Sequence, residues 1–140
     1  MKTIKSVSVF GLGKLGSCIA ATIAQQGIPV IGVDVDPEKV RKINEGLPPV
    51  DEPLLAETIA NGRSRLRATL DVKEAVQTDV SFFIPPSPSL PDGSFSNEFL
   101  LRSMQPVAKA LREANKKGHL FVCSSTTTPG ACDSVLIPML

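Results

Sequence analysis

Apolar and polar positions along this chain fall into short apolar runs separated by helical stripes. Residues 4–10 end in Val7-Ser8-Val9-Phe10, an apolar run of strand length. Residues 14–26 place Leu15, Ile19, Ala20, Ile23 and Ala24 at helical spacing, and Gly27 supplies the stop. Residues 29–34 predict a second strand; Val30-Ile31-Gly32-Val33 is unbroken, as a strand covered on both faces should be. Asp36-Pro37-Glu38 reads as an N-cap followed by proline at the first helical position, and the helix over 38–44 stops at Gly46. Residues 47–53 form a proline-rich, extended connector carrying Asp51 and Glu52. A short helix over 54–60 is ended by Asn61-Gly62, a short strand spans 66–69 and a short helix 71–77.

The second half continues the alternation. Residues 79–84 predict a fourth strand, and the four prolines between Pro85 and Ser94 exclude helix and sheet interior. Residues 97–114 predict a long helix with Leu100, Leu101, Met104, Val107, Ala108 and Leu111 on one side; Arg112, Lys116 and Lys117 suit its negative end. Residues 119–123 predict a fifth strand, followed by Ser124-Ser125-Thr126-Thr127-Thr128-Pro129-Gly130 and a helix over 131–140. Strands alternating with helices imply an α/β, Rossmann-type, doubly wound parallel sheet in three layers, with right-handed crossovers. The polar loops after strands one, four and five then share the carboxyl edge, so Gly13, Ser87 and Thr126 line one crevice.

Composition narrows the function classes. A chain of 140 residues is about one domain, and 42% hydrophobic with 21% charged residues is the balance of a globular protein with a real core. A net charge of +1 argues against nucleic acid or an anionic membrane as partner. No apolar run reaches the length of a membrane span, and the N-terminus leads directly into the first strand without a signal peptide. Cys18, Cys123 and Cys132 are odd in number and lack metal-ligand spacing, which reads as free thiols in a reducing cytoplasm. Cys123 and Cys132 sit in apolar segments and are expected in the core; the lone His119 is expected to be structural, and no metal site is expected.

The chemistry is concentrated in residues 7–36. Gly11, Gly13 and Gly16 follow the first strand and open the first helix, and Asp34 ends the second strand. Strand, glycine turn, helix, strand and acid together form a dinucleotide-binding fingerprint. Gly11 permits the tight turn, Gly13 lets a pyrophosphate approach the backbone, and Gly16 lets the helix pack closely. The helix start offers free N–H groups to the phosphates, and Asp34 accepts from the adenosine ribose hydroxyls. A carboxylate at that place also repels a 2′-phosphate, so NAD is expected rather than NADP.

Two families share this opening. Gly11 to Val40 resembles the nicotinamide-binding regulatory domain of potassium transport proteins. The whole chain resembles the amino-terminal, NAD-binding domain of the UDP-glucose/GDP-mannose dehydrogenase family. Four stretches carry the second likeness: Lys39-Val40-Arg41-Lys42-Ile43-Asn44-Glu45-Gly46-Leu47-Pro48-Pro49; Glu52-Pro53-Leu54-Leu55 with Leu66-Arg67-Ala68-Thr69; Ile84 to Pro88 with Pro91-Asp92-Gly93-Ser94; and Ser125-Thr126 with Pro129-Gly130. The regulatory domain has no counterpart to the last three. The resemblance implies a two-step oxidation of the C6 alcohol of a UDP- or GDP-sugar to the uronic acid, through an aldehyde and a cysteine thioester, with two NAD reduced. It implies cofactor contacts at Gly11, Gly13, Lys14, Leu15, Gly16, Asp34, Lys39, Pro86, Ser87, Ser125 and Thr126, with Thr126 also helping to hold the hydrolytic water. Lys14 stands where the family usually has Tyr, and Pro85 where it has a small apolar residue. The family's catalytic Cys, Lys and Asn fall beyond residue 140, so the resemblance implies a cofactor domain of residues 1–140, inactive alone, whose parent is a homodimer with a carboxyl-terminal substrate domain. On that reading Val135, Leu136, Ile137 and Leu140 lack their usual cover.

Overall fold

In a computed structural model of the chain, residues 3–140 are described. Five strands, β1 Val7–Phe10, β2 Val30–Val33, β3 Leu66–Thr69, β4 Val80–Phe83 and β5 Leu120–Cys123, form one parallel sheet in the order β3-β2-β1-β4-β5. The first crossovers build outward from β1 to β2 and β3, and β4 then returns to the other side of β1. The order therefore reverses between β1 and β4, which is where doubly wound sheets open a crevice at their carboxyl edge.

Helices cover both faces. On one, α1 Lys14–Gln25, α2 Pro37–Glu45 and α3 Leu55–Gly62 bury Ala20, Ala21, Ala24, Ile43, Leu55 and Ile59 against Val7, Val9 and Val30. On the other, α4 Glu98–Glu113 lays Leu100, Met104, Val107 and Leu111 on Phe10, Ile31, Val33 and Phe83. The rings of Phe10, Phe83 and Phe121 stack across β1, β4 and β5, with centroids 4.7 and 5.4 Å apart.

Local signals explain the element ends. Asp36 caps α2 by accepting from the Glu38 N–H at 2.9 Å, with Pro37 in the first turn. Gly46 closes the helix in the left-handed conformation, φ 82°, and its N–H reaches the Ile43 carbonyl at 3.0 Å. At the amino edge the buried polar side chains are paired. Ser8 and Ser81 hydroxyls lie 2.6 Å apart, and Ser81 meets His119 Nε2 at 2.8 Å. His119 Nδ1 lies 2.9 Å from the Thr78 carbonyl. A carbonyl only accepts, so Nδ1 carries the proton of that bond.

Three expectations are corrected. The segment over 131–140 is not one regular helix: Cys132–Leu136 winds as a wide π-type turn, and only Ile137–Met139 is α-helical. Cys132, on the turn, is exposed; Cys123 packs against the core but is only half-buried, because β5 is the edge strand with one side uncovered. Leu136 is buried, so of the terminal apolar residues Ile137 and Leu140 are the exposed pair.

Candidate functional site

The glycine turn joins β1 to α1, and its three glycines meet three different constraints. Gly11 has φ +94°, and a Cβ added there would stand 2.7 Å from the Ile84 carbonyl oxygen. Any side chain would push β4 and its loop away from β1. A Cβ at Gly16 would stand 1.7 Å from the Gly11 carbonyl oxygen, so α1 rests directly on the turn. Gly13 is different: a Cβ there meets nothing within 4 Å. Its lack of a side chain leaves open space over the backbone at the start of α1.

That space faces unsatisfied donors. Gly13 is the N-cap of α1, and no side chain caps the helix. The first-turn N–H groups of an α-helix have no partner within the helix. The Ser17 hydroxyl and N–H both bond the Gly13 carbonyl, which fixes the turn from inside. Backbone donors, a helix dipole and room for a ligand together fit a phosphate group.

Asp34 sits at the carboxyl end of β2, and its side chain is only 7% exposed. Its Oδ2 accepts from the Leu12 N–H at 2.6 Å and from Lys39 Nζ at 3.5 Å; Oδ1 accepts from the Asp36 N–H at 3.0 Å. The carboxylate is thus oriented by backbone from the glycine turn on one side and by the α2 entry on the other. Two carboxylate oxygens offer about four acceptor sites. Capacity remains for ribose hydroxyls. Leu12 itself is fully buried, and its side chain lies where a Cβ on Gly32 would go, which makes β2 carry glycine there.

The loop after β4 is folded into a small hairpin. Ser89 bridges Phe95, the Leu90 N–H reaches the Ser94 carbonyl at 2.8 Å, and the Ser96 N–H reaches the Pro88 carbonyl at 2.9 Å. The Ser94 hydroxyl and N–H hold the Asp92 carboxyl below the usual carboxylate range. Two bonds tie this loop to the one after β5. The Ser125 hydroxyl donates to the Pro85 carbonyl at 2.6 Å, and the Phe95 N–H donates to the Thr128 hydroxyl at 3.3 Å. Ser125 therefore spends its hydroxyl on the neighbouring loop. Pro86 and Thr126 are exposed, and Ser87 is half-buried.

Lys14 Nζ lies 3.1 Å from Glu52 Oε1, an ion pair between the glycine turn and the connector. Sequence reasoning singled out Gly11, Gly13, Lys14, Gly16, Asp34 and Lys39 in this neighbourhood. It missed the Leu12 N–H, Glu52 as a partner of Lys14, and Thr128. A backbone donor has no side-chain signature; the two acid and hydroxyl partners depend on how far-apart loops fold back.

Two of the three thiols, Cys18 and Cys123, are not poised as nucleophiles. Burial, then the Glu52 charge, pushes the Cys18 thiol up. Burial also pushes Cys123 up, partly offset by its bond to the Ser125 carbonyl. Among the described residues no group of three or more His, Cys, Asp or Glu side chains is placed to hold a metal, and no helix is long and apolar enough to cross a membrane. An open groove at the opposite, amino edge is lined by Ser6, Pro29, Arg65 and Thr78, away from the glycine turn.

Comparison with known proteins places this geometry. GDP-mannose 6-dehydrogenase of Pseudomonas putida is 38% identical over 139 residues, which is 96% of this chain and 31% of that protein. UDP-glucose 6-dehydrogenase of Haloferax volcanii is 37% identical over 138 residues, again 96% of this chain and 31% of the relative. The crystal structure of a ternary complex of GDP-mannose dehydrogenase from Pseudomonas aeruginosa superposes with a TM-score of 0.89 at 36% identity, covering 95% of this chain and 31% of that one. The chain thus spans about a third of the length of the relatives it matches. Residues 5–140 match the UDP-glucose/GDP-mannose dehydrogenase family, NAD binding domain. An α/β fold with a glycine turn open for phosphate, an oriented acid at the end of β2 and this match over nearly the whole chain make it a member of that family, as its NAD-binding domain.

Proposed function

We propose that the chain holds NAD across the switch between β1 and β4, as the cofactor domain of a nucleotide-sugar 6-dehydrogenase. The pyrophosphate lies over Gly13 on the first turn of α1. Asp34 accepts from the adenosine ribose hydroxyls, with Lys39 beside it. The tied loops at Ser87 and at Ser125-Thr126 flank the nicotinamide end, where Ser125 positions and Thr126 faces the reacting groups. The observation that carries this reading is the Asp34 carboxylate, clamped by the Leu12 and Asp36 N–H groups at 2.6 and 3.0 Å in front of an uncapped helix.

NAD, when bound, takes hydride from the sugar carbon. The substrate is a UDP- or GDP-hexose whose C6 alcohol is oxidised to the acid with two NAD, in a cytoplasmic homodimer that serves polysaccharide synthesis. The thiolate that traps the aldehyde and the sugar contacts belong to a carboxyl-terminal domain outside residues 1–140. The alternative of a regulatory domain of a potassium transport system is not favoured. It gives no role to the proline hairpin or the Ser125-Thr126 turn, and the relatives just described are dehydrogenases.

Calorimetric titration tests the cofactor assignment. NAD binds more tightly than NADP, because a 2′-phosphate would meet the Asp34 carboxylate. Equal or tighter NADP binding, with Lys39 neutralising the phosphate, would refute it.

A further inference from the structure

Lys14 is an odd residue for its position. It is the first residue of α1, at the positive end of the helix dipole, where a carboxylate is favoured and a cation is not. The first turn holds no acid to balance it. Its nearest counter-charge comes from elsewhere: Glu52, on the connector before α3, at 3.1 Å. The Lys14 side chain is 77% exposed, whereas that of Glu52 is 26% exposed. The Glu52 charge is felt within the helix as well, since it is one of the causes that raise the Cys18 thiol a turn further on. A carboxylate beside a phosphate-binding turn disfavours the phosphate unless a cation stands between them.

Resting on the assignment of the pyrophosphate to the glycine turn, we propose that Lys14 is the side-chain counter-ion of the dinucleotide phosphates, held by Glu52 in the free protein and transferred to the phosphates on binding, so that the Lys14–Glu52 pair sets cofactor affinity. The backbone N–H groups at Gly13 and α1 supply a fixed site for the anion; Lys14 adds a full charge that is exchanged between two anions. Breaking the Glu52 contact is the cost of using it. Removing Lys14 leaves Glu52 facing the phosphates unscreened, and removing the Glu52 charge frees Lys14 in advance. The two substitutions therefore act in opposite directions on one equilibrium.

The test uses the 140-residue chain, with NAD, ADP-ribose and adenosine as calorimetric probes. Lys14→Gln weakens NAD and ADP-ribose alike, by roughly three- to tenfold, as loss of one partly exposed charge contact to phosphate implies. It leaves adenosine binding unchanged, since adenosine carries no phosphate. Glu52→Gln tightens NAD and ADP-ribose, by roughly two- to fivefold. The gain disappears when Lys14→Gln is added, because no lysine remains to be released. Raising salt weakens ADP-ribose binding less in Lys14→Gln than in the parent chain. Both side chains reach solvent, so thermal melting stays within a degree or two of the parent and serves as the control. Equal NAD affinity in the parent and Lys14→Gln, or weaker binding in Glu52→Gln, would overturn the proposal while leaving the phosphate site in place. Loss of adenosine binding in Lys14→Gln would assign the lysine to the fold instead. No NAD binding by the parent chain would overturn the site assignment and this proposal together.

Discussion

At the residue scale, two glycines of one turn separate packing from binding. Gly13 has φ −77° and ψ −163°, extended backbone open to any residue, and empty space beyond it. Gly13→Val is therefore expected to melt at the parent temperature and to lose measurable NAD binding, because the side chain takes the volume of the pyrophosphate. Normal NAD binding by this variant would move the phosphate site elsewhere. Gly16→Ala is expected to do the reverse. Its Cβ would fall 1.7 Å from the Gly11 carbonyl oxygen, a backbone atom that cannot turn away. Helix and strand must separate, at a cost of about 3 kcal/mol or more in urea unfolding. A variant as stable as the parent would show that α1 does not rest on the turn. Both glycines are legible from the motif, and so is Asp34. Their partners are less so. The resemblance implies Ser125 as a cofactor contact; that its hydroxyl donates to the Pro85 carbonyl is revealed only by the folded position of a loop forty residues away.

At the element scale, apolar periodicity placed every strand because each is buried on both faces, except at the sheet edges. There the pattern weakens and tertiary contacts decide. β3 is an edge strand, and its outer side is closed by one side chain from α2. Asn44 Nδ2 donates to the Ala68 carbonyl at 2.9 Å, and Asn44 Oδ1 accepts from the Ala68 N–H at 2.8 Å. The amide does for Ala68 what a further strand would do. Nothing in the sequence of an exposed helical asparagine announces this. Asn44→Ala leaves both backbone groups without that partner and is expected to cost about 1–3 kcal/mol in urea unfolding; a loss under a few tenths would mean that water replaces the amide at little cost. The next link is electrostatic. The Thr69 hydroxyl and the Arg67 guanidinium hold the Glu74 carboxyl below its usual range, tying the 3-10 helix Val72–Gln77 to β3. A carboxyl with a depressed value in the folded state contributes stability above its unfolded value, and loses it as pH falls through the folded one. The melting temperature is thus expected to decline as pH drops below about 4.5, and to decline less steeply in Glu74→Gln. Parallel curves for the two proteins would remove Glu74 from the acid response. The last segment failed for a related reason. Residues 131–140 carry helical spacing, but Leu136 turns into the core beneath α4 through the wide turn Cys132–Leu136, and the regular stripe is broken to allow it.

At the scale of the whole molecule, alternation of strand and helix already implied a parallel sheet, and the order β3-β2-β1-β4-β5 brings the loops after β1, β4 and β5 to one edge side by side. That arrangement supplies a cofactor crevice but not a nucleophile for it. In the oxidation proposed above, a thiolate traps the aldehyde. Cys18 and Cys123 are both pushed up by burial and so stay protonated near neutral pH. The hydrogen bond of Cys123 goes to the Ser125 carbonyl at 3.6 Å, which accepts a proton contact but cannot remove the proton. Cys132 is exposed, on the turn that follows the Ser124–Gly130 stretch, and no histidine stands with it, since His119 is engaged at the amino edge. The chain is therefore expected to bind NAD and to form no NADH with UDP-glucose, GDP-mannose or N-acetylated UDP-hexosamines. Its NAD affinity is expected to be weak, because the nicotinamide end is covered from one side only and the ordering of the cofactor is offset by less buried surface. Absorbance at the NADH band, followed beside calorimetry with NAD, decides between the parts of this claim. Turnover by the 140-residue chain would place the nucleophile among its three cysteines, and serial Cys→Ser replacement would then identify which one.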